Sequence, residues 1–242
     1  MSDFYIIPVI DVLNSMAVHA IKGERSKYKP LDSVLFDTHN PIKIIESLKS
    51  MGFFKIYVAD LDAILKKTPN FNLFKQFSSI PSVDIMLDPG IRKKDDIYKY
   101  FQFNFFKLII GLETIKNLNT ITKILKIVQK NSILVSIDMF QEKIKAGNKD
   151  LNNSDPREIV MKLENLGISE IILLDLFRVG QKMGGIPELF KEINKKFEGS
   201  VYIGGGVRNL NDIKEYKKLG FSGILIGTAL YDGSVNYKDL LV

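Results

Sequence analysis

The chain has no cysteine and only two histidines, His19 and His39, in 242 residues. The first absence excludes disulfides, thiolate nucleophiles and cysteine-ligated metals. Two imidazoles are too few for a multi-histidine zinc site, so no metal is expected. The N-terminal stretch "MSDFYIIPVID" lacks a basic segment followed by a long apolar run, so it does not read as a secretory signal. No apolar stretch approaches the roughly 20 residues that span a bilayer. The expectation is a cytoplasmic protein with no membrane partner. A block of like charge is missing too. The net charge is +6, but the lysines are spread along expected helix faces. That pattern reads as a solvated surface and not as a nucleic-acid footprint.

What the chain does have is a repeated unit. Short, nearly continuous apolar runs occur at 4–10, 55–60, 84–88, 107–111, 133–138, 170–175, 201–205 and 223–227. Runs of this kind suit strands buried on both faces. Amphipathic stretches lie between them. Residues 40–52 open on Asn-Pro and close on Gly, and 154–167 offers Ser154 or Asp155 as a cap before Pro156. Residues 117–131 and 209–220 carry apolar side chains at helical spacing. Alternating strands and helices imply a parallel sheet. Eight such units in a chain of this length point to one α/β domain over 1–242, a (β/α)8 TIM barrel.

The stretch "YIGGGVRNLNDI" (202–213) aligns with "MLDPGIRKKDDI" (86–97), so that Arg92 falls under Arg208 and Gly90 under Gly206. "IIGLET" (109–114) aligns with "LIGTAL" (225–230), "VADL" (58–61) with "LLDL" (173–176), and "VIDV" (9–12) with "SIDM" (136–139). The strands of one half echo those of the other in order, as in two fused half-barrels. On that expectation Asp11 and Asp138 end equivalent strands and face each other across the C-terminal mouth. Two carboxylates in one pocket serve as acid and base when their surroundings separate their pKa values.

Gly204, Gly205 and Gly206 follow the seventh strand; Gly227 and Thr228 follow the eighth. Glycine turns let backbone N–H groups approach an anion, and a helix start adds unpaired donors. A phosphate site is expected there. The first-half copy has Asp88 and Pro89 in place of two of the glycines, and Leu112 and Glu113 in place of Thr228 and Ala229. Those changes remove donors and add negative charge. A second phosphate would need compensation from Arg92, Lys93 or Lys94; alternatively, Asp88 simply pairs with Arg92. One strong phosphate site is therefore expected. The polar segment 21–30 reads as a lid over the mouth or as an ordinary surface loop. The aromatic runs 71–77 and 98–106 read as packing faces, the second on a helix leading into the fourth strand.

These motifs together resemble the histidine-biosynthesis barrels, a family that includes ProFAR isomerase and the cyclase subunit of imidazole glycerol phosphate synthase. The resemblance rests on "IIPVIDV", "VADLDA", "SIDM", "LLDLFRVG", "IGGGVRN" and "LIGTAL", in order over residues 6 to about 233. "AVHAIKGE" (17–24) brings the isomerase closer. The resemblance implies acid/base isomerisation by Asp11 and Asp138, with no metal or redox cofactor. It implies phosphate binding at Gly205, Gly206, Gly227 and Thr228, and substrate contacts near Asp175, Gly180, Asp88 and Arg92. The family's substrate carries a phosphate at each end. The departures fall at the first-half end and in "RVGQ", where Val179 and Gln181 replace a polar pair; His19 replaces a common arginine. The expected partner is thus a singly phosphorylated, sugar-like substrate. An authentic ProFAR isomerase and a non-catalytic phosphate-binding barrel stay open.

Overall fold

The structure is a computed structural model that describes residues 4–241. Eight parallel strands form a closed barrel. They are β1 (Tyr5–Leu13), β2 (Lys55–Asp60), β3 (Asp84–Asp88), β4 (Lys107–Gly111), β5 (Ile133–Phe140), β6 (Glu170–Asp175), β7 (Ser200–Gly204) and β8 (Gly223–Ile226). Each pairs with the next, and β8 returns to β1 with Tyr5 opposite Gly223 and Pro8 opposite Ile226. Closure leaves no unpaired barrel edge.

Side-chain alternation decides what faces inward. Ile7, Tyr57, Met86, Ile109, Leu134, Ile172, Tyr202 and Leu225 form an apolar plug inside the barrel. Burying each such side chain stabilises by about 1.5–3 kcal/mol. Two residues further along each strand, the inward positions are Val9, Ala59, Asp88, Gly111, Ser136, Leu174, Gly204 and Gly227. Another step of two brings in Asp11 on β1 and Asp138 on β5. The alternate residues point outward and bury a second apolar layer against the helices, with Ile10, Val58, Leu87, Ile110, Val135 and Ile203 in it.

The expected strand positions hold, with β1 and β5 running longer than expected. Both leave the barrel as antiparallel hairpins, β1 with Met16–His19 and β5 with Lys143–Ile144. Helix Pro41–Ser50 starts on the Asn40 side chain, which accepts from the N–H groups of Ile42 and Lys43. Of the two caps considered at 154–155, Asp155 is the one used, accepting from Arg157 N–H.

The stretch 117–131 is not one helix. Only Asn119–Ile124 is helical, before turns and a 3-10 turn at Lys130–Ser132. Leu118 offers no side-chain cap, and Thr120, Ile121, Thr122 and Ile124 are β-branched, which lowers helix propensity. The stretch 98–106 also departs from an α-helix. A 3-10 helix, Lys94–Tyr100, is followed by turns. Tyr100 packs with Phe74, ring centroids 5.9 Å apart, and Phe103 stacks on Phe71 at 6.2 Å. Tyr98 and Phe101 of the same run are exposed. Among the described residues no helix is long and apolar enough to cross a membrane.

Candidate active site

The C-terminal ends of the strands surround a cavity that is open at the mouth. Asp11, Asp88 and Asp138 enter it from three strands, and Glu113 enters from the loop after β4. The glycine turns at Gly204–Gly206 and Gly227–Thr228 form the facing wall. Four carboxyl groups thus share one cavity with a segment of bare backbone.

The carboxyls respond to burial. Asp138 is 5% exposed. Desolvation and the nearby Glu113 carboxylate push its pKa well above the usual range, although the Ser136 hydroxyl donates to Oδ1 at 2.8 Å. Asp11 is pushed up to about 7, again mainly by burial, with the Arg25 guanidinium opposing. Asp88 is also pushed up to about 7 by burial, against a hydrogen bond from Gly90 N–H at 3.0 Å. At neutral pH the cavity therefore holds both protonated and ionised carboxyls, the condition for acid and base to work side by side.

The glycine wall has two kinds of requirement. Gly205 and Gly206 have φ of +91° and +88°, where L side chains are strained. A Cβ on Gly205 would also stand 2.8 Å from the Asp175 carbonyl oxygen. On the adjacent turn, a Cβ on Gly227 would meet nothing within 4 Å. Its openness comes from the cavity itself. Thr228 places its hydroxyl 2.8 Å from His19 Nε2. Burial holds the His19 pKa below its ordinary value, so the ring is neutral at pH 7. The helix after the triple glycine, Leu210–Lys218, does not add free donors as expected. The N–H groups of Asn211 and Asp212 donate to the Asn209 side chain, and those of Arg208 and Asn209 donate to Asp212, in a closed capping box.

Other expected site residues are not all gathered here. Gly180 lines the cavity, as do Val179 and Lys182. Asp175 does not line it. Its Oδ1 accepts from the N–H groups of Gln141 and Phe177 and shapes the turn after β6. Arg92 also lies outside and does not pair with Asp88. Its guanidinium donates to the carbonyls of Ala63, Gly90 and Ile64. The halves do share one local device: Arg92 N–H donates to Asp96 at 3.1 Å, and Arg208 N–H donates to Asp212 at 2.8 Å. Lys93 and Lys94 face a separate surface depression.

The segment 21–30 lies over the mouth. Lys22 N–H donates to the Val179 carbonyl at 3.0 Å, and Lys29–Pro30 pairs with the Met16–His19 strand. It sends Arg25 and Tyr28 into the cavity, which sequence reading did not single out. Arg25 meets both Glu113 carboxylate oxygens, at 2.9 and 3.0 Å.

The family described as "Histidine biosynthesis protein" matches residues 5–236. The chain belongs to this family. Among its relatives, an uncharacterized protein of Methanocaldococcus jannaschii is 31% identical over 98% of this chain and 97% of its own. A protein of Brachyspira hyodysenteriae is 26% identical over 98% of both chains. One of Buchnera aphidicola is 28% identical over 98% of this chain and 97% of its own. The last two are named as isomerases of ProFAR, an imidazole-4-carboxamide whose name carries two phosphoribosyl groups.

Proposed function

We propose that this member of the histidine-biosynthesis family is an acid/base isomerase of a singly phosphorylated, sugar-like substrate. The observation that carries the reading is the cavity itself: two aspartates, each two residues before the end of its strand and with a raised pKa, stand in the same cavity as a bare glycine wall. Backbone N–H groups at Gly205, Gly206, Gly227 and Thr228 would hold the phosphate, with Gly204 leaving room behind them. Asp138, whose pKa burial pushes well above the usual carboxylate range, serves as the acid that protonates the sugar ring oxygen while the anomeric hydroxyl gives up its proton, so that the ring opens. Asp11, ionised in part near pH 7, serves as the base that takes the proton from the adjacent sugar carbon. Returning that proton to the neighbouring carbon completes an aldose-to-ketose change with no oxidant or reductant.

Authentic ProFAR isomerase activity is the second reading, favoured by the names of the relatives. Efficient turnover of ProFAR by the purified protein would establish it in place of the first. Under the first reading, incubation in deuterated water with a panel of aldose monophosphates gives solvent deuterium at C2 of one of them, followed by nuclear magnetic resonance. No exchange with any of the panel and no turnover of ProFAR would leave a phosphate-binding barrel without chemistry.

His19 supports the cradle through Thr228. His19→Phe removes that partner and leaves the threonine hydroxyl freer to rotate. A hydrogen bond of this kind contributes about 1 kcal/mol, so inorganic phosphate affinity should fall roughly fivefold by calorimetry. An unchanged affinity would take the Thr228 hydroxyl out of the cradle.

A further inference from the structure

The side of the cavity opposite the glycine wall is built around an ion pair that joins two loops. Arg25 comes from the segment after β1 and Glu113 from the loop after β4, and their side chains are 22% and 17% exposed. Arg25 is the only arginine lining the cavity among the described residues. The three other cations named for this side are elsewhere: Arg92 is tied to backbone carbonyls, and Lys93 and Lys94 face outward. Lys182 lines the cavity but pairs with Asp232 at 2.6 Å. A Cβ placed on Gly111 would lie 3.5 Å from Asp88 Oδ2 and 3.8 Å from Glu113 Cγ, so the two acidic side chains flank that glycine.

We propose that Arg25 and Glu113 are a specificity-determining pair: Glu113 neutralises the one available guanidinium and, with Asp88, closes this side of the cavity to a second phosphate. The proposal rests on the reading of the glycine wall as the phosphate cradle. A dianion entering beside Asp88 would meet carboxylate oxygens, and it would have to break a charge-assisted contact to reach Arg25. A neutral hydroxyl-bearing end meets no such repulsion and finds acceptors at Asp88 and Glu113. Glu113 therefore works chiefly by exclusion, and its removal should widen what the site accepts.

The test measures dissociation constants by calorimetry for ribose 5-phosphate, with one phosphate, and for ProFAR, with two. The proteins are the wild type, Glu113→Gln, Arg25→Met, and Glu113→Gln combined with Arg25→Met. Glu113→Gln should tighten ProFAR by at least about tenfold relative to ribose 5-phosphate, because a like charge is removed and a guanidinium is freed. The double variant should lose that gain. An unchanged ratio in Glu113→Gln, with ribose 5-phosphate still bound, overturns the role of the pair and leaves the phosphate cradle standing. Wild-type protein that prefers ProFAR and loses that preference on Arg25→Met overturns it as well, since Arg25 would then leave Glu113 to grip the second phosphate. If neither ribose 5-phosphate nor inorganic phosphate binds the wild type, the cradle fails and the proposal falls with it.

Discussion

Asp138→Asn is expected to lower turnover by about 10²–10⁴-fold, the range for losing a positioned acid or base. Affinity for a phosphate-bearing ligand should stay within about twofold. The substitution is close to isosteric, and the Ser136 hydroxyl that donates to Asp138 Oδ1 at 2.8 Å can donate equally to an asparagine oxygen. The proposed phosphate cradle lies after other strands, β7 and β8, so the change should not reach it. What the amide lacks is a proton it can give at neutral pH. Steady-state kinetics on the substrate found by deuterium exchange, with calorimetry on the same preparation, separates the two effects. Retained turnover would remove Asp138 from the chemistry; a parallel loss of affinity would make it a binding group. Stability offers a further control. Asp138 is 5% exposed and burial raises its pKa. Removing the carboxyl should not unfold the barrel, so lost turnover cannot be put down to lost structure.

The barrel was legible because burial on both faces writes itself as unbroken apolar runs. The runs at 55–60, 84–88, 107–111 and 170–175 coincide with the strands. The same periodicity placed Asp11 and Asp138 at strand ends, and both line the cavity. Side chains that reach the cavity from loops left no such mark. Arg25 sits in a charged segment where nothing in the local pattern distinguishes it from Lys22 or Lys27, and only the fold brings it to Glu113. Tyr57 is the opposite case. It lies two residues before Ala59 on β2, so inward alternation could have found it, and its hydroxyl is 3.4 Å from Asp88. Asp175 and Arg92 do not line the cavity, for one physical reason. Turns after strands have N–H and C=O groups to satisfy, and these polar side chains are consumed in satisfying them. The same economy closed the start of helix Leu210–Lys218 with Asn209 and Asp212.

Asp88→Asn is expected to stabilise the ligand-free protein at pH 8 by roughly 2–4 kcal/mol and to change it little at pH 4. In the unfolded chain an aspartate loses its proton near 3.8; in the folded protein Asp88 keeps it up to about 7. Between those values the folded state binds more protons than the unfolded one. Stability therefore falls as pH rises through the window, by at most about 1.4 kcal/mol per pH unit for this group, and levels off above pH 7. An amide at this position cannot titrate, so the variant loses that part of the slope, while its side-chain oxygen still accepts from Gly90 N–H. Urea unfolding at pH 4, 6 and 8 reads the difference directly, and Asp11, also raised to about 7, contributes equally to both proteins and cancels. The sign is what matters. If Asp88 served only to cap the turn at Gly90, its ionised form would be the favoured one, its folded pKa would lie below 3.8, and Asp88→Asn would destabilise most at pH 8. A buried carboxyl that instead lowers stability at neutral pH is not kept for the fold, and a role in reading what enters the cavity gives it a reason to be there.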